Sequence, residues 1–187
     1  MRDQSLIAGL DIGSTEARLV VGQITAGQLQ IIGAVAAPVT GMSKGIVNNI
    51  EGVTSSVLAC LEKSERLIGV RLDSVYASIS APSLKCERSK GVVAINQANN
   101  EITTEDMNRV IEAAQALSLP ANYEVLHVIP INYRVDNQED VKSPVGMSGI
   151  RLEVEVLIVQ LLSNQVRNLS KAIKQAGLYI NNIIIQT

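Results

Sequence analysis

Hydrophobic positions come in short runs at the start of the chain and at helical spacing further on. Leu6 to Ile12 is one apolar run, residues 17–25 a second and Leu29 to Val39 a third. Short turns, Gly13-Ser14-Thr15 and Thr25-Ala26-Gly27, separate them, which predicts an antiparallel meander. Residues 40–45 read as a loop from their composition. Asn48 and Glu51 then stand at capping-box spacing, and Val53, Val57, Leu58, Leu61 and Ile68 recur at helical intervals up to Gly69. Leu72 to Ser80 alternates, with Val75, Ala77 and Ile79 on one face.

After a break at Ala81-Pro82-Ser83, Lys85 to Ile95 reads as a strand with a polar middle, and residues 96–101 as an Asn/Gln-rich loop. Thr103 and Asp106 form a second capping pair ahead of Met107, Val110, Ile111, Ala114 and Leu117, with Pro120 as the stop. Glu124 to Val135 predicts a strand with a bulge or edge position at Pro130. Asp136 to Gly149 reads as a polar loop and Arg151 to Leu162 as a strongly alternating strand. Ser163 is expected to cap a last helix with Val166, Leu169 and Ile173 inward and Gly177 past its end. Tyr179 to Ile185 is apolar on consecutive residues, as in a strand buried on both faces. Such a strand needs cover that no further helix here supplies, so a piece of a longer protein is expected, with self-association through the uncovered strand.

Candidate chemistry centres on the first turn. Asp11 ends an apolar strand, where a carboxylate has no core role. The small residues Gly13, Ser14 and Thr15 follow it. Glycine allows close backbone approach, and successive N–H groups in a turn make an anion nest. A carboxylate beside such a nest suits Mg²⁺ held through water, since that ion keeps much of its hydration shell. The plainer alternative makes Asp11 a turn residue satisfying nearby N–H groups, with Ser14 and Thr15 ordinary hairpin residues and Arg18 a solvated strand charge.

Composition narrows the remaining classes. A net charge of −2 gives no basic field for nucleic acid, and four Tyr with no Trp or Phe give no base-stacking platform. Cys60 and Cys86 lie far apart without ligand spacing, which fits a reduced compartment rather than a disulfide scaffold or zinc site. The polar start is unlike a signal peptide, and Val156 to Val159 and Ile183 to Ile185 are far below membrane-spanning length. His127, the sole histidine, sits on an apolar strand without a catalytic partner at suitable spacing. Cys60 reads as core, Met42 and Met147 as exposed loop contacts. The Glu101-Glu105-Asp106 cluster reads as charge complementing a helix dipole. Neither a Walker loop nor a G-x-G-x-x-G fingerprint occurs.

The order strand, strand, strand, helix, strand opens the ribonuclease-H-like half-domain of actin-like ATPases. Gly9-Leu-Asp-Ile-Gly-Ser14 resembles the first phosphate loop of that superfamily. Gly41-Met-Ser-Lys-Gly45-Ile-Val, Val125-Leu-His-Val-Ile-Pro130-Ile-Asn-Tyr133 and Ser143-Pro-Val-Gly-Met-Ser-Gly-Ile-Arg-Leu152 resemble stretches of the FtsA family of bacterial cell-division proteins. The resemblance covers nearly the whole chain. It implies an α/β fold in which residues 1–82 plus 163–187 form an incomplete actin-like subdomain 1A. Residues 83–162 form the inserted, SHS2-type subdomain 1C.

The resemblance also implies function. FtsA-type proteins bind ATP with Mg²⁺, anchor FtsZ to the cytoplasmic membrane through a C-terminal amphipathic helix, and self-associate and recruit later division proteins through subdomain 1C. Asp11 would sit near the nucleotide's Mg²⁺, through water, and Gly13, Ser14 and Thr15 would line the phosphates. Arg18 stands where many actin relatives place a Lys. The second phosphate loop, the adenosine segment, the FtsZ-binding part and the membrane helix have no counterpart in these residues. The expectation is therefore feeble ATP binding and no useful ATPase activity by this chain, and cytoplasmic, membrane-peripheral placement of the whole protein at the division site. Two other readings remain open: a PilM-like pilus-assembly adaptor, and the N-terminal lobe of an actin-like-fold ATPase or kinase.

Overall fold

A computed structural model describes residues 6–96, 99–116 and 120–186. The chain forms two compact units, Met1–Ser83 with Ser163–Thr187, and Leu84–Leu162. The first begins with β1 (Leu6–Ile12), β2 (Glu16–Thr25), β3 (Gln28–Pro38), the short strands β4 (Met42–Ser43) and β5 (Ile46–Val47), α1 (Ile50–Ile68) and β6 (Ser74–Ile79). The second carries β7 (Lys85–Ala94), α2 (Thr104–Gln115), β8 (Tyr123–Val135), β9 (Gln138–Val141) and β10 (Arg151–Leu162). The chain returns to the first unit with α3 (Ser163–Gln175) and β11 (Tyr179–Ile185).

The first unit is a five-stranded sheet in the order β11-β6-β1-β2-β3. The meander β1-β2-β3 is antiparallel as its short turns require, while β6 runs parallel to β1 and β11 parallel to β6. That is the ribonuclease-H-like half-domain expected from element order. Alternation sorts the sheet's faces. Ala17, Leu19, Val21, Val75, Ala77 and Ile79 are buried together with Val53, Val57 and Cys60 of α1. The opposite face has no covering helix among the described residues, and Val20, Ile24, Leu29, Ile31, Tyr76 and Ile184 are exposed there.

Several details differ from the sequence reading. The cap of α1 is Asn49, not Asn48: its side chain accepts from Gly52 N at 3.0 Å, and the position three residues on is Gly52 rather than an acid, so there is no capping box. Both Asn48 and Asn49 give their own N–H to Gly41 O, which delays the helix by a residue. Leu58 points to solvent, and Ser56, Cys60 and Ser64 fill the buried stripe instead. The loop at 40–45 holds one side of the β4–β5 ribbon. The last strand, β11, does follow the sequence reading: it is a sheet edge whose residues are half-buried or exposed, as expected of an apolar strand left without cover. At the end of α3, Gly177 N bonds Lys174 O at 3.0 Å and Leu178 N bonds Ile173 O at 3.3 Å, the paired bonds of a Schellman motif around the left-handed Gly177.

The second unit is a four-stranded antiparallel sheet in the order β7-β10-β8-β9, with α2 across one face. Its core is built from Val110 and Ala114 of α2, Leu152, Val154, Val156 and Ile158 of β10, and Tyr133, Val135, Ile95 and Ile102 around them. Thr103 forms the expected capping box with Asp106. The helix ends at Gln115; Leu117, assigned to its apolar face from sequence, lies outside the described residues. A register shift at Pro130 confirms the bulge: Glu155 pairs with Asn132 but Val156 with Pro130, leaving Ile131 unpaired. The supposed loop 136–149 contains β9, a strand too polar to show by alternation. Its later part zips onto the approach to α2, through Ile102 N to Met147 O and Gly149 N to Asn100 O, both 2.9 Å. Met147 is thereby half-buried against the core, and is not the exposed contact expected from its loop position.

Candidate functional site

The three parallel strands β1, β6 and β11 end at one edge of the first unit's sheet. Carboxyl ends of parallel strands are where open α/β sheets collect ligands, because backbone N–H groups and short loops converge there. Ile12, Gly13 and Ser14 follow β1, Ser80, Ala81 and Pro82 follow β6, and Gln186 follows β11. With Lys44 and Gly45 of the β4–β5 ribbon they line an open depression of about 550 Å³.

Asp11 lies just inside that edge, in register between Ser78 of β6 and Arg18 of β2, so the three side chains share the helix-free face. The Ser78 hydroxyl donates to Asp11 Oδ1. Arg18 Nη1 stands 4.0 Å from Asp11 Oδ2. Most of the Arg18 charge is answered elsewhere: its Nε donates to Glu16 Oε1 at 2.9 Å and its Nη2 to the same oxygen. Asp11 therefore keeps one lightly engaged oxygen on a side chain 27% exposed.

The turn after Asp11 is organised by two bonds. Gly13 N donates to Glu16 O at 3.0 Å, closing the hairpin. Ser14 Oγ accepts from Gly45 N at 3.1 Å, tying the turn to the ribbon. Among the described residues, the N–H groups of Ser14 and Thr15 meet no protein acceptor, whereas Gly13 N–H is committed. Gly13 keeps an ordinary negative φ. Its lack of a side chain matters for space, since a Cβ there would stand 3.2 Å from Glu16 O.

This donor set fits a hydrated Mg²⁺ carried by a polyphosphate. One carboxylate lies on the strand that leads into a turn with two free N–H groups, and a lysine lines the depression beside that turn. It does not fit a metal caged by protein: no group of three or more His, Cys, Asp or Glu is placed to hold one among the described residues. Of the sequence candidates, Gly13 and Ser14 line the depression, Asp11 and Arg18 lie behind it on the sheet, and Thr15 uses its carbonyl to hold Val39 N at 2.9 Å. Ser78, Lys44, Gly45 and Gln186 escaped the sequence reading. Ser78 sits at an alternating outward position of β6, but nothing in one strand's sequence says which neighbour it will face.

The second unit has its own exposed feature. On the sheet face away from α2, Lys90, Arg134, Glu139, Asp140, Glu153 and Glu155 surround a depression of about 190 Å³. Its charges are paired at the rim, Glu155 with Arg88 at 3.2 Å and Arg134 with Glu139 at 3.5 Å. Asn132 Oδ1 is buried there without a partner, while its amide donates to Asp140. His127 is half-buried on β8 opposite Val159. Cys60 is fully buried, and burial pushes its thiol pKa up, as befits a core residue.

Comparison with known proteins agrees with this architecture. Residues 82–160 match the family model of the SHS2 domain inserted in FtsA. The chain is 37% identical over 182 residues to the cell division protein FtsA of Pseudomonas aeruginosa, covering 97% of the chain and 43% of that protein. It is 38% identical over 183 residues to the FtsA of Borreliella burgdorferi, covering 97% of the chain and 44% of that protein. The chain thus spans less than half the length of these relatives. Among solved structures, the PilM-PilN type IV pilus biogenesis complex shares the fold, with a TM-score of 0.64 at 15% identity over 99% of this chain and 48% of that one. The sheet order, the inserted α2-backed unit and the similarity over 97% of the chain agree: along nearly its whole length this chain matches the cell division protein FtsA, and it carries the SHS2 domain inserted in that protein.

Proposed function

We propose that the chain is the nucleotide-sensing and partner-binding part of an FtsA-type adaptor. The first unit offers the β1–β2 turn to the phosphates of ATP and Asp11 to the accompanying Mg²⁺ through water. The second unit serves self-association and recruitment of later division proteins. In the whole adaptor, FtsZ and the cytoplasmic face of the membrane at the division site are engaged by parts outside these residues.

The observation that carries the nucleotide reading is the position of Asp11. It is a half-exposed carboxylate, held by Ser78, at the carboxyl edge of three parallel strands and next to two free N–H groups. Mg²⁺ would neutralise phosphate charge. Asp11 would orient the ion's water shell, and Ser14 and Thr15 would fix the phosphate oxygens. Positioning and charge neutralisation dominate phosphoryl chemistry, which leaves little covalent work to the protein. The reading for the second unit rests on its bare, charged sheet face with the unsatisfied Asn132 oxygen, a surface for a polar protein contact rather than an apolar ligand.

The test is a titration of the 187-residue chain with MgATP, followed by ¹H–¹⁵N NMR. Shifts concentrated at Ser14, Thr15 and Ser78, with an affinity in the millimolar range, are expected. Asp11→Asn preserves the Ser78 bond and should leave the free-protein spectrum intact, but should remove most of the Mg²⁺ dependence. Equal Mg²⁺ dependence in both proteins would dismiss Asp11 as the metal-side residue.

A further inference from the structure

We infer that Lys44 is the cation that meets the phosphates at this site, and that Gly45 is the residue that positions it. The inference rests on the nucleotide reading above and adds a residue to it. A polyphosphate needs a positive partner besides Mg²⁺. Arg18, the cation suggested by sequence, is bonded twice to Glu16, stands 4.0 Å from Asp11 and does not line the depression. Lys44 does line it, is exposed, and forms no ion pair among the described residues.

The backbone argues the same way. Lys44 and Gly45 are the two central residues of the β4–β5 hairpin, with φ of 50° and 75°. Positive φ at both places is the mark of a type I′ turn, whose first position favours Asn, Asp or Gly. A lysine there holds a left-handed conformation that its Cβ disfavours. Strain of this kind persists where a side chain is needed for something else. Gly45 has no such freedom of replacement: a Cβ would stand 2.2 Å from Ser80 O. The ribbon can approach the end of β6 only with glycine. From that place Gly45 N–H fills an acceptor site of Ser14 Oγ, which leaves the serine O–H free to donate towards the depression. One turn thus aims the Ser14 hydroxyl and sets the lysine beside it.

The test exploits the turn preference. Lys44→Asn removes the charge and suits the I′ position better, so its Tm should equal or exceed that of the parent chain; Lys44→Gly serves as a second turn-compatible variant. In the same NMR titration, MgATP, MgADP and inorganic tripolyphosphate should shift the Lys44 and Gly45 amides together with Ser14 and Thr15, whereas adenosine should not. Both neutral variants should bind MgATP and tripolyphosphate about fivefold more weakly, the loss expected for one charge-assisted contact at a partly exposed site, and Lys44→Arg should recover most of it. Folded neutral variants that bind as tightly as the parent, while Asp11→Asn still loses Mg²⁺ dependence, would overturn the Lys44 assignment and leave the nucleotide reading standing. No shift with any phosphate compound in the parent chain would overturn both.

Discussion

Asp106 carries its charge while its side chain is only 3% exposed. Thr103 makes that tolerable: its hydroxyl donates to Asp106 Oδ2 at 2.7 Å and its N–H to the same oxygen at 3.0 Å, and Arg109 Nη1 donates to Oδ1 at 2.8 Å. The Thr103 hydroxyl is the largest influence holding the carboxyl below its ordinary 3.8, followed by the Thr103 N–H, with Arg109 adding to it and burial opposing. A lowered folded pKa means the contribution is complete above 3.8 and lost as pH falls through the lower, folded value. Thr103→Ala should cost about 1 kcal/mol at pH 7, read from the urea midpoint. The stability gap between the parent chain and Asp106→Asn should narrow as the pH is taken below 3.8. At this scale the sequence was partly readable. Capping is a contact three residues long, so Thr103 and Asp106 declare themselves. The environment of Asp11 depends on Ser78, 67 positions away, and on a ribbon distant in the chain, and neither Ser78 nor the ribbon's Gly45 has any local signature.

Elements follow the same division. The strands β6 and β10 were visible because one buried face forces alternation, and β1, β2 and β3 because they are apolar runs set between short turns. β9 was not, because Gln138-Glu-Asp-Val141 lies at a sheet edge where only Val141 is buried. β7 was found, but not the reason for Gly91 within it. A Cβ on Gly91 would stand 2.2 Å from Val110 O and 2.6 Å from Ala114 N, so α2 can lie on β7 only over a bare backbone. Ser89 completes the fit by donating its hydroxyl to Ala114 O at 2.7 Å. Both contacts are backbone groups and cannot swing aside. Gly91→Ala should therefore destabilise the second unit by about 3 kcal/mol, the upper end for overpacking. Circular dichroism during urea unfolding will measure it, and the amide shifts of β1 and β2 in the folded protein should stay in place. The bulge at Pro130 was legible for the opposite reason. A missing N–H is written in the sequence itself.

On the scale of the molecule, the second unit has a separate core and pairs its own ends: Lys85, near its start, lies opposite Gln160, near its finish. Residues 84–162 expressed alone should therefore fold, with a single cooperative urea transition and the near-native amide pattern of the same residues in the whole chain. A spectrum without dispersion would show that the unit depends on the remainder. The element order of the first unit was enough to place its fold, since three antiparallel strands followed by a helix and a parallel strand leave few sheet orders open. The exposure of β11 was legible as well: its apolar run asks for cover on both faces, and among the described residues no helix covers the open face of the sheet.

The pairing of Lys85 with Gln160 also bears on how the parallel strands find each other. β6 and β11 are joined through the whole second unit and α3, about a hundred residues that as a random coil would oppose their meeting. Once β7 and β10 have zipped, those ends are held one interstrand spacing apart, about 5 Å. The ring to be closed shrinks about fourfold, to the short link before β7 and the stretch through α3, and on logarithmic scaling the entropic barrier drops by about 1.3 kcal/mol. The middle of the sequence acts as a clasp for its two ends, so early formation of this unit speeds the docking of β11 against β6.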